Sequence, residues 1–255
     1  MVEFRLLGPF EARTAAGPIP LGSPQQRFVL VALLLEPNRV VQRTRLIDMM
    51  WPDAVPASAH NALQVYVSRL RGVLRDSSDG QAWIERVGTG YRLVVDPCAL
   101  DVNRFHAIVS AARTLTSQAE TAVRLREALS LWRGEPLADL DSPWLRRHVC
   151  SAFSEAWLDV HEDLFEAEMN CGNHRRVLPE IRRLFGQHPT RERLAGLLMR
   201  ALYRNGRRAE ALGVYREVAA IFTADLGIDP SGALATLHQA MLRNEPDSSG
   251  ALRVH

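Results

Sequence analysis

Pro56-Ala-Ser-Ala-His-Asn-Ala-Leu-Gln-Val-Tyr-Val-Ser-Arg-Leu-Arg-Gly-Val-Leu-Arg75 is the stretch whose reading decides the fold. Leu63, Val67, Leu70 and Leu74 follow i, i+4, i+7, i+11 spacing and so share one stripe of an α-helix. Ser58, just after Pro56, is the expected N-cap. At about 100° per residue the opposite face carries Asn61, Val65, Ser68, Arg69 and Gly72, with Arg71 and Arg75 on one flank. No acid occurs between Asp53 and Asp76. A helix with an apolar back and a front of Asn, Val, Ser and Arg suits a DNA major groove. There Arg bonds guanine bidentately, Asn bonds adenine, and a small apolar side chain meets the thymine methyl. A solvated basic helix looks the same in isolation, so the flanking sequence has to decide.

Upstream, Ser23-Pro24-Gln25-Gln26 is a capping box with Pro at the first helical position. The helix it opens runs through Phe28 to Leu35, is apolar nearly all round, and stops before Pro37-Asn38. Val40-Val41 reads as a short extended link. Arg43 or Thr44 then opens a second helix, with Leu46, Ile47, Met50 and Trp51 as its buried side and Pro52 as its stop. Three short strands precede all of this: Val2 to Leu7, Phe10 to Thr14 and Ile19 to Leu21, with a turn at Ala16-Gly17-Pro18. Downstream, Trp83 to Val87 and Tyr91 to Val95 flank Gly88-Thr89-Gly90 and read as a β-hairpin. Residues 1–96 therefore spell β-β-β-α-α-α-β-β, a helix-turn-helix with a hairpin wing and an N-terminal sheet.

With that order in place, residues 1–96 resemble the winged-helix DNA-binding domain of OmpR-type regulators. Tyr66-Val67-Ser68-Arg69-Leu70-Arg71 and Arg86-Val87-Gly88-Thr89-Gly90-Tyr91-Arg92-Leu93 carry the likeness. The resemblance implies that the third helix enters the major groove and that the wing reaches the adjacent minor groove. By position it sets Gln64, Val65, Ser68 and Arg69 toward bases. It sets Arg71, Thr89 and Arg92 on or near phosphates, or Arg92 in the minor groove. Asn61 is a further base-facing candidate and Arg43, near a helix start, a further phosphate candidate. Each has a plainer reading: Thr89 as a turn residue, Arg92 as a solvated strand charge, Tyr91 as core. Which of Asn61, Gln64, Val65, Ser68 and Arg69 touch bases stays open at this stage.

The second half is helical to about Asn244. Helices are expected at Val102–Leu115, Gln118–Leu131, Trp144–Cys171, His174–Phe185, Arg191–Asn205, Arg208–Leu226 and Ser231–Arg243. Gly172 and Gly206 are 34 apart, and that offset pairs Leu164 with Leu198, Ala167 with Ala201, Val177 with Ala211, Leu178 with Leu212 and Ile181 with Tyr215. This is the tetratricopeptide period, in which each helix pair must stack on a neighbour to bury its face. The fold class expected is an α+β winged helix-turn-helix domain over 1–97, then an all-α tetratricopeptide-like domain over 98–245. Residues 246–255 are expected to form a flexible tail.

A winged helix followed by such helices is similar to the Streptomyces antibiotic regulatory proteins, whose second part is a bacterial transcriptional activation domain. Leu6-Leu7-Gly8-Pro9, Leu100-Asp101-x-x-Arg104-Phe105, Leu131-Trp132-Arg133-Gly134-x-Pro136-Leu137, His188-Pro189-x-Arg191-Glu192-Arg193-Leu194 and Leu226-Gly227-Ile228-Asp229-Pro230 carry this likeness. One departure is Gln42, where Ser or Thr is expected to cap the second helix. The resemblance implies a cytoplasmic, nucleoid-associated activator of a secondary-metabolite (antibiotic) gene cluster. It implies binding to direct repeats in double-stranded DNA, self-association there, and contact with RNA polymerase and its sigma factor. A tetratricopeptide-type protein- or ligand-binding regulator, with DNA binding accessory, is the alternative.

Composition narrows the rest. All 31 basic residues are Arg, which removes a P-loop lysine and Schiff-base chemistry. Larger members of the family add an NTP-hydrolysing domain, and none is expected here. Net charge is +2, but the span Arg39–Arg75 holds 6 Arg against 2 acids, a local bias that fits a small nucleic-acid face. The 3 cysteines suggest a reducing compartment. The N-terminus does not read as a signal peptide, and no apolar run is long enough to span a bilayer. Cys171-x-x-His174 lacks a second pair at zinc spacing, and His161-Glu162-Asp163 lacks a nucleophile. No enzyme, cofactor or metal site is therefore expected.

Overall fold

The computed structural model describes residues 2–245; the expected tail at 246–255 lies outside them. Strands β1 (Glu3–Arg5), β2 (Glu11–Thr14) and β3 (Gly17–Pro18) form an antiparallel sheet in that order. The third strand thus falls where the sequence suggested the turn. The Thr14 hydroxyl accepts from the Ala16 N–H at 3.2 Å and closes the hairpin two residues early. Pro18 has no N–H to give, which an edge strand tolerates. Ile19 still donates to the Ala12 carbonyl at 2.8 Å, and its side chain and that of Leu21 are buried.

Helix α1 (Pro24–Leu34) starts on the expected capping box, with both reciprocal Ser23–Gln26 bonds formed, and buries every residue from Phe28 to Leu34. Val40–Gln42 is a true strand, β4, because it pairs with a distant partner that no local pattern announces. Helix α2 (Arg43–Met50) buries Leu46, Ile47 and Met49, whereas Met50 and Trp51 are only partly covered. Helix α3 (Ala59–Ser77) follows. Ser58 flanks it with no side-chain cap bond: at φ −86° and ψ 1° it lacks the extended geometry that aims a cap oxygen at the first free N–H groups. Strands β5 (Ala82–Val87) and β6 (Gly90–Val95) form the hairpin, and the second sheet runs β4-β6-β5.

Downstream lie α4 (Asp101–Arg113), α5 (Gln118–Leu129), α6 (Pro143–Leu145), α7 (Ser151–Asn170), α8 (His174–Gln187), α9 (Glu192–Arg204), α10 (Arg208–Ile221) and α11 (Gly232–Leu242). The helix expected over Trp144–Cys171 begins as α6, widens into a π-helical turn at Arg146–Cys150, and continues as α7. The end of the helix expected over Arg208–Leu226 is likewise a π turn, Phe222–Leu226. No Gly or Pro within either turn marks it in the sequence.

The chain forms two compact units. The first contains residues 2–111 with Arg126–Leu158, the second Ala112–Leu125 with residues 159–245. In the first, the winged-helix core continues without a break into Leu137, Leu140, Leu145 and Val149. Leu6-Leu7-Gly8-Pro9 is the joint. The Arg133 N–H donates to the Leu7 carbonyl at 2.8 Å and the Leu137 N–H to the Gly8 carbonyl at 2.7 Å. The buried Asp101 carboxylate accepts from the N–H groups of Leu6 and Leu7 at 2.8 and 3.0 Å. Burial pushes that carboxyl above its ordinary range, and the two N–H bonds pull the other way.

In the second unit the 34-residue period is visible bond by bond. Gly172 (φ 82°) and Gly206 (φ 75°) each end a helix in the left-handed region. Around them Gly172 donates to Met169 and Asn173 to Glu168, as Gly206 does to Tyr203 and Arg207 to Leu202. These are matched Schellman closures, 34 residues apart. The acids of α7 meet arginines of this unit: Arg191 Nε donates to the buried Glu162 at 2.6 Å, and Arg193 and Arg113 both bond Asp163.

Candidate nucleic-acid interface

Helix α3 has two unlike faces. Leu63, Val67, Leu70 and Leu74 are 0–1% exposed and belong to the core, which fixes the rotation of the helix about its axis. That rotation turns Asn61, Gln64, Val65, Ser68 and Arg69 out to solvent together. Among the described residues the side chains of Asn61, Gln64, Ser68 and Arg69 have no hydrogen-bond or ion-pair partner. Val65 is 45% exposed and is the one large apolar side chain exposed on this helix.

The wing is held at its tip. Gly88 adopts φ 56°, and a Cβ on Gly90 would sit 2.5 Å from the Val41 carbonyl oxygen, so both positions need glycine. Gln42 does not cap α2 with its side chain. The Thr89 carbonyl does the work instead, accepting from the Arg43 backbone N–H at 3.3 Å and from Arg43 Nε at 2.9 Å. The Thr89 hydroxyl donates to Gln42 Oε1 at 2.6 Å. This explains the unusual residue at 42: the cap comes from the wing, and Gln42 and Arg43 clip the wing to the start of α2.

Arg71 ties α3 to the hairpin. Its Nε donates to the Ile84 carbonyl at 2.8 Å, and its guanidinium lies over the buried Tyr91 ring, 5.9 Å from the centroid. Arg92 lies on the other side of the sheet. Tyr91, Leu93 and Val95 are buried while Arg92 and Val94 alternate outward, and Arg92 Nε donates to Glu85 Oε1 at 2.5 Å. The fold therefore gathers Asn61, Gln64, Val65, Ser68 and Arg69 on one helix face, joins Arg43 to Thr89 at the wing tip, and sets Arg71 against the inner side of the wing. It does not bring Arg92 to that side.

Arg86 is an exposed cation that the sequence reading passed over. It is the cross-strand partner of Tyr91, on the same side of the hairpin as Ile84. Period-two counting from Ile84 was the signal that could have found it. Among the described residues no group of three His, Cys, Asp or Glu could hold a metal ion, and no helix is long and apolar enough to cross a membrane.

Comparison with known proteins agrees with this geometry. Residues 18–93 match the family described as transcriptional regulatory protein, C terminal, and residues 100–242 match the bacterial transcriptional activator domain. The regulatory protein AfsR of Streptomyces coelicolor is 37% identical over 248 residues, covering 96% of this chain and 24% of its own length. The transcriptional regulatory protein MoaR1 of Mycobacterium tuberculosis is 34% identical, covering 96% of this chain and 80% of its own. The solved structure of Mycobacterium tuberculosis EmbR in complex with a low affinity phosphopeptide is 33% identical with a TM-score of 0.91, covering 97% of this chain and 66% of that one. The chain thus spans about a quarter of AfsR and about two thirds of EmbR.

Proposed function

The chain belongs to the Streptomyces antibiotic regulatory protein family, an OmpR-type winged helix joined to a bacterial transcriptional activator domain, and on that premise we propose that it is a DNA-binding activator of a secondary-metabolite gene cluster. Residues 1–97 serve as the DNA-binding module and 98–245 as the activating one. The observation that carries this reading is the face of α3: four unpartnered hydrogen-bonding side chains and one apolar one, presented by a helix whose back is locked in the core. Asn61, Gln64, Val65, Ser68 and Arg69 face base edges. Arg43, Arg71 and Thr89 meet phosphates and set the register; Arg92 reaches DNA by exchanging Glu85 for a phosphate or the minor groove. The protein binds direct repeats as adjacent protomers, recruits RNA polymerase through its sigma factor, and works in the cytoplasm on the nucleoid, with no catalytic step of its own.

Footprinting of the whole chain on genomic fragments, followed by affinity measurement on the protected site, tests the reading. Arg69→Ala should cost about 1–3 kcal/mol on that site and relax its sequence preference. An equal loss on random DNA removes Arg69 from base reading. Failure to protect any site at physiological salt favours a tetratricopeptide-type binding protein instead.

A further inference from the structure

Val65 lies outside the hydrophobic core and is not among the apolar side chains packed against it. It is 45% exposed, and it stands within about 20° of the pole opposite the Leu63–Leu74 stripe when residues are placed at about 100° intervals. A β-branched residue is a poorer helix former than alanine, because its χ1 freedom is lost against the preceding turn. Nothing on this face repays that loss in the free protein. The neighbours Asn61, Gln64, Ser68 and Arg69 are polar and without side-chain partners among the described residues.

A ligand for this position has to present an apolar group amid hydrogen-bonding ones. In the major groove only thymine does so, through its 5-methyl group; guanine, adenine and cytosine present polar atoms there. A cytosine against Val65 would bury its N4 amine without a partner, which is unfavourable. The stiffness that makes valine a weak helix former also holds its two methyls in one preferred rotamer, ready for the contact.

We propose that Val65 is a specificity-determining residue that reads the 5-methyl of one thymine per half-site. Arg69 lies one turn further on, about 6 Å along the axis. Its base is therefore within about two steps of that thymine, at ~3.4 Å per step. The inference rests on the DNA-binding reading above and adds the identity of one base to it.

The experiment uses the full chain and a duplex carrying the footprinted site, with each thymine replaced singly by deoxyuridine. One thymine in each half-site should weaken binding about 2- to 5-fold on losing its methyl, the scale of one buried methyl-sized group. Val65→Ala should bind the unmodified site more weakly by a similar factor and, keeping only one methyl for the contact, lose less affinity than the parent on uracil at that position. Because Val65 is exposed, this variant keeps the core intact, and circular dichroism should confirm its helix content. A footprint in which no uracil matters overturns the inference alone, as does uracil sensitivity that is undiminished in Val65→Ala. The absence of any specific footprint overturns the DNA-binding reading and this inference together.

Discussion

Arg71→Ala should loosen α3 from the wing, and the structure supplies the size of the effect. The substitution removes a 2.8 Å bond from Nε to the Ile84 carbonyl and a cation–π contact with Tyr91. A charge-assisted bond on a partly exposed group contributes about 0.5–1 kcal/mol after solvent screening, and an exposed cation–π contact about as much. The expected loss is about 1–2 kcal/mol. Arg71→Lys should lose most of it too, since an ammonium has no planar fork to bond the carbonyl and cover the ring together. All 5 tryptophans, Trp51, Trp83, Trp132, Trp144 and Trp157, lie in the first unit. Urea titration followed by tryptophan fluorescence therefore reads the relevant unit. DNA binding gives a second, independent readout. If Arg71 also neutralises a phosphate, Arg71→Ala should flatten the slope of log affinity against log salt by about 0.9, while Arg71→Lys leaves it unchanged. A lysine variant as stable as the parent would refute the anchoring role. An unchanged slope in Arg71→Ala would refute the phosphate contact.

Two further substitutions probe the first unit. Asp101→Asn puts an amide N–H₂ against one of two buried backbone N–H groups, so urea unfolding should show a loss of about 2–4 kcal/mol; a change below ~1 kcal/mol would remove Asp101 as the joint's anchor. Burial holds this carboxyl above its ordinary 3.8, so the folded state takes up its proton first. The parent should therefore gain on Asp101→Asn as pH falls through the folded value toward 3.8, and lose that gain as pH rises again. Gly72→Ala should raise stability by about 0.5–1 kcal/mol, because Gly72 is helical and a Cβ there meets nothing within 4 Å. Destabilisation in the same titration would contradict this, and a simultaneous loss of DNA affinity would place Gly72 against the DNA backbone.

The sequence by itself determined most of the helices, the hairpin wing and the outward face of α3. A stripe at i, i+4, i+7, i+11 fixes which side of a helix is buried, so Asn61, Val65, Ser68 and Arg69 are legible as exposed from spacing alone, and Gln64 from the resemblance to OmpR-type winged helices. The capping box at Ser23, the Gly88–Gly90 tip and the 34-residue repeat are equally local or periodic, and each formed as read. Tertiary structure decided what side chains do once a distant partner arrives. Val40–Gln42 is a strand because β6 pairs with it. Gln42 heads a helix because Thr89, 47 residues away, supplies the cap. Arg71 and Arg92 carry the same charge in the same motif neighbourhood, yet one braces the wing from inside and the other pairs with Glu85 outside. Periodicity encodes which way a side chain points, because backbone geometry repeats every few residues. It carries no record of which group from elsewhere in the chain will meet it, and for α3 that meeting fixes how the helix and the wing are held together.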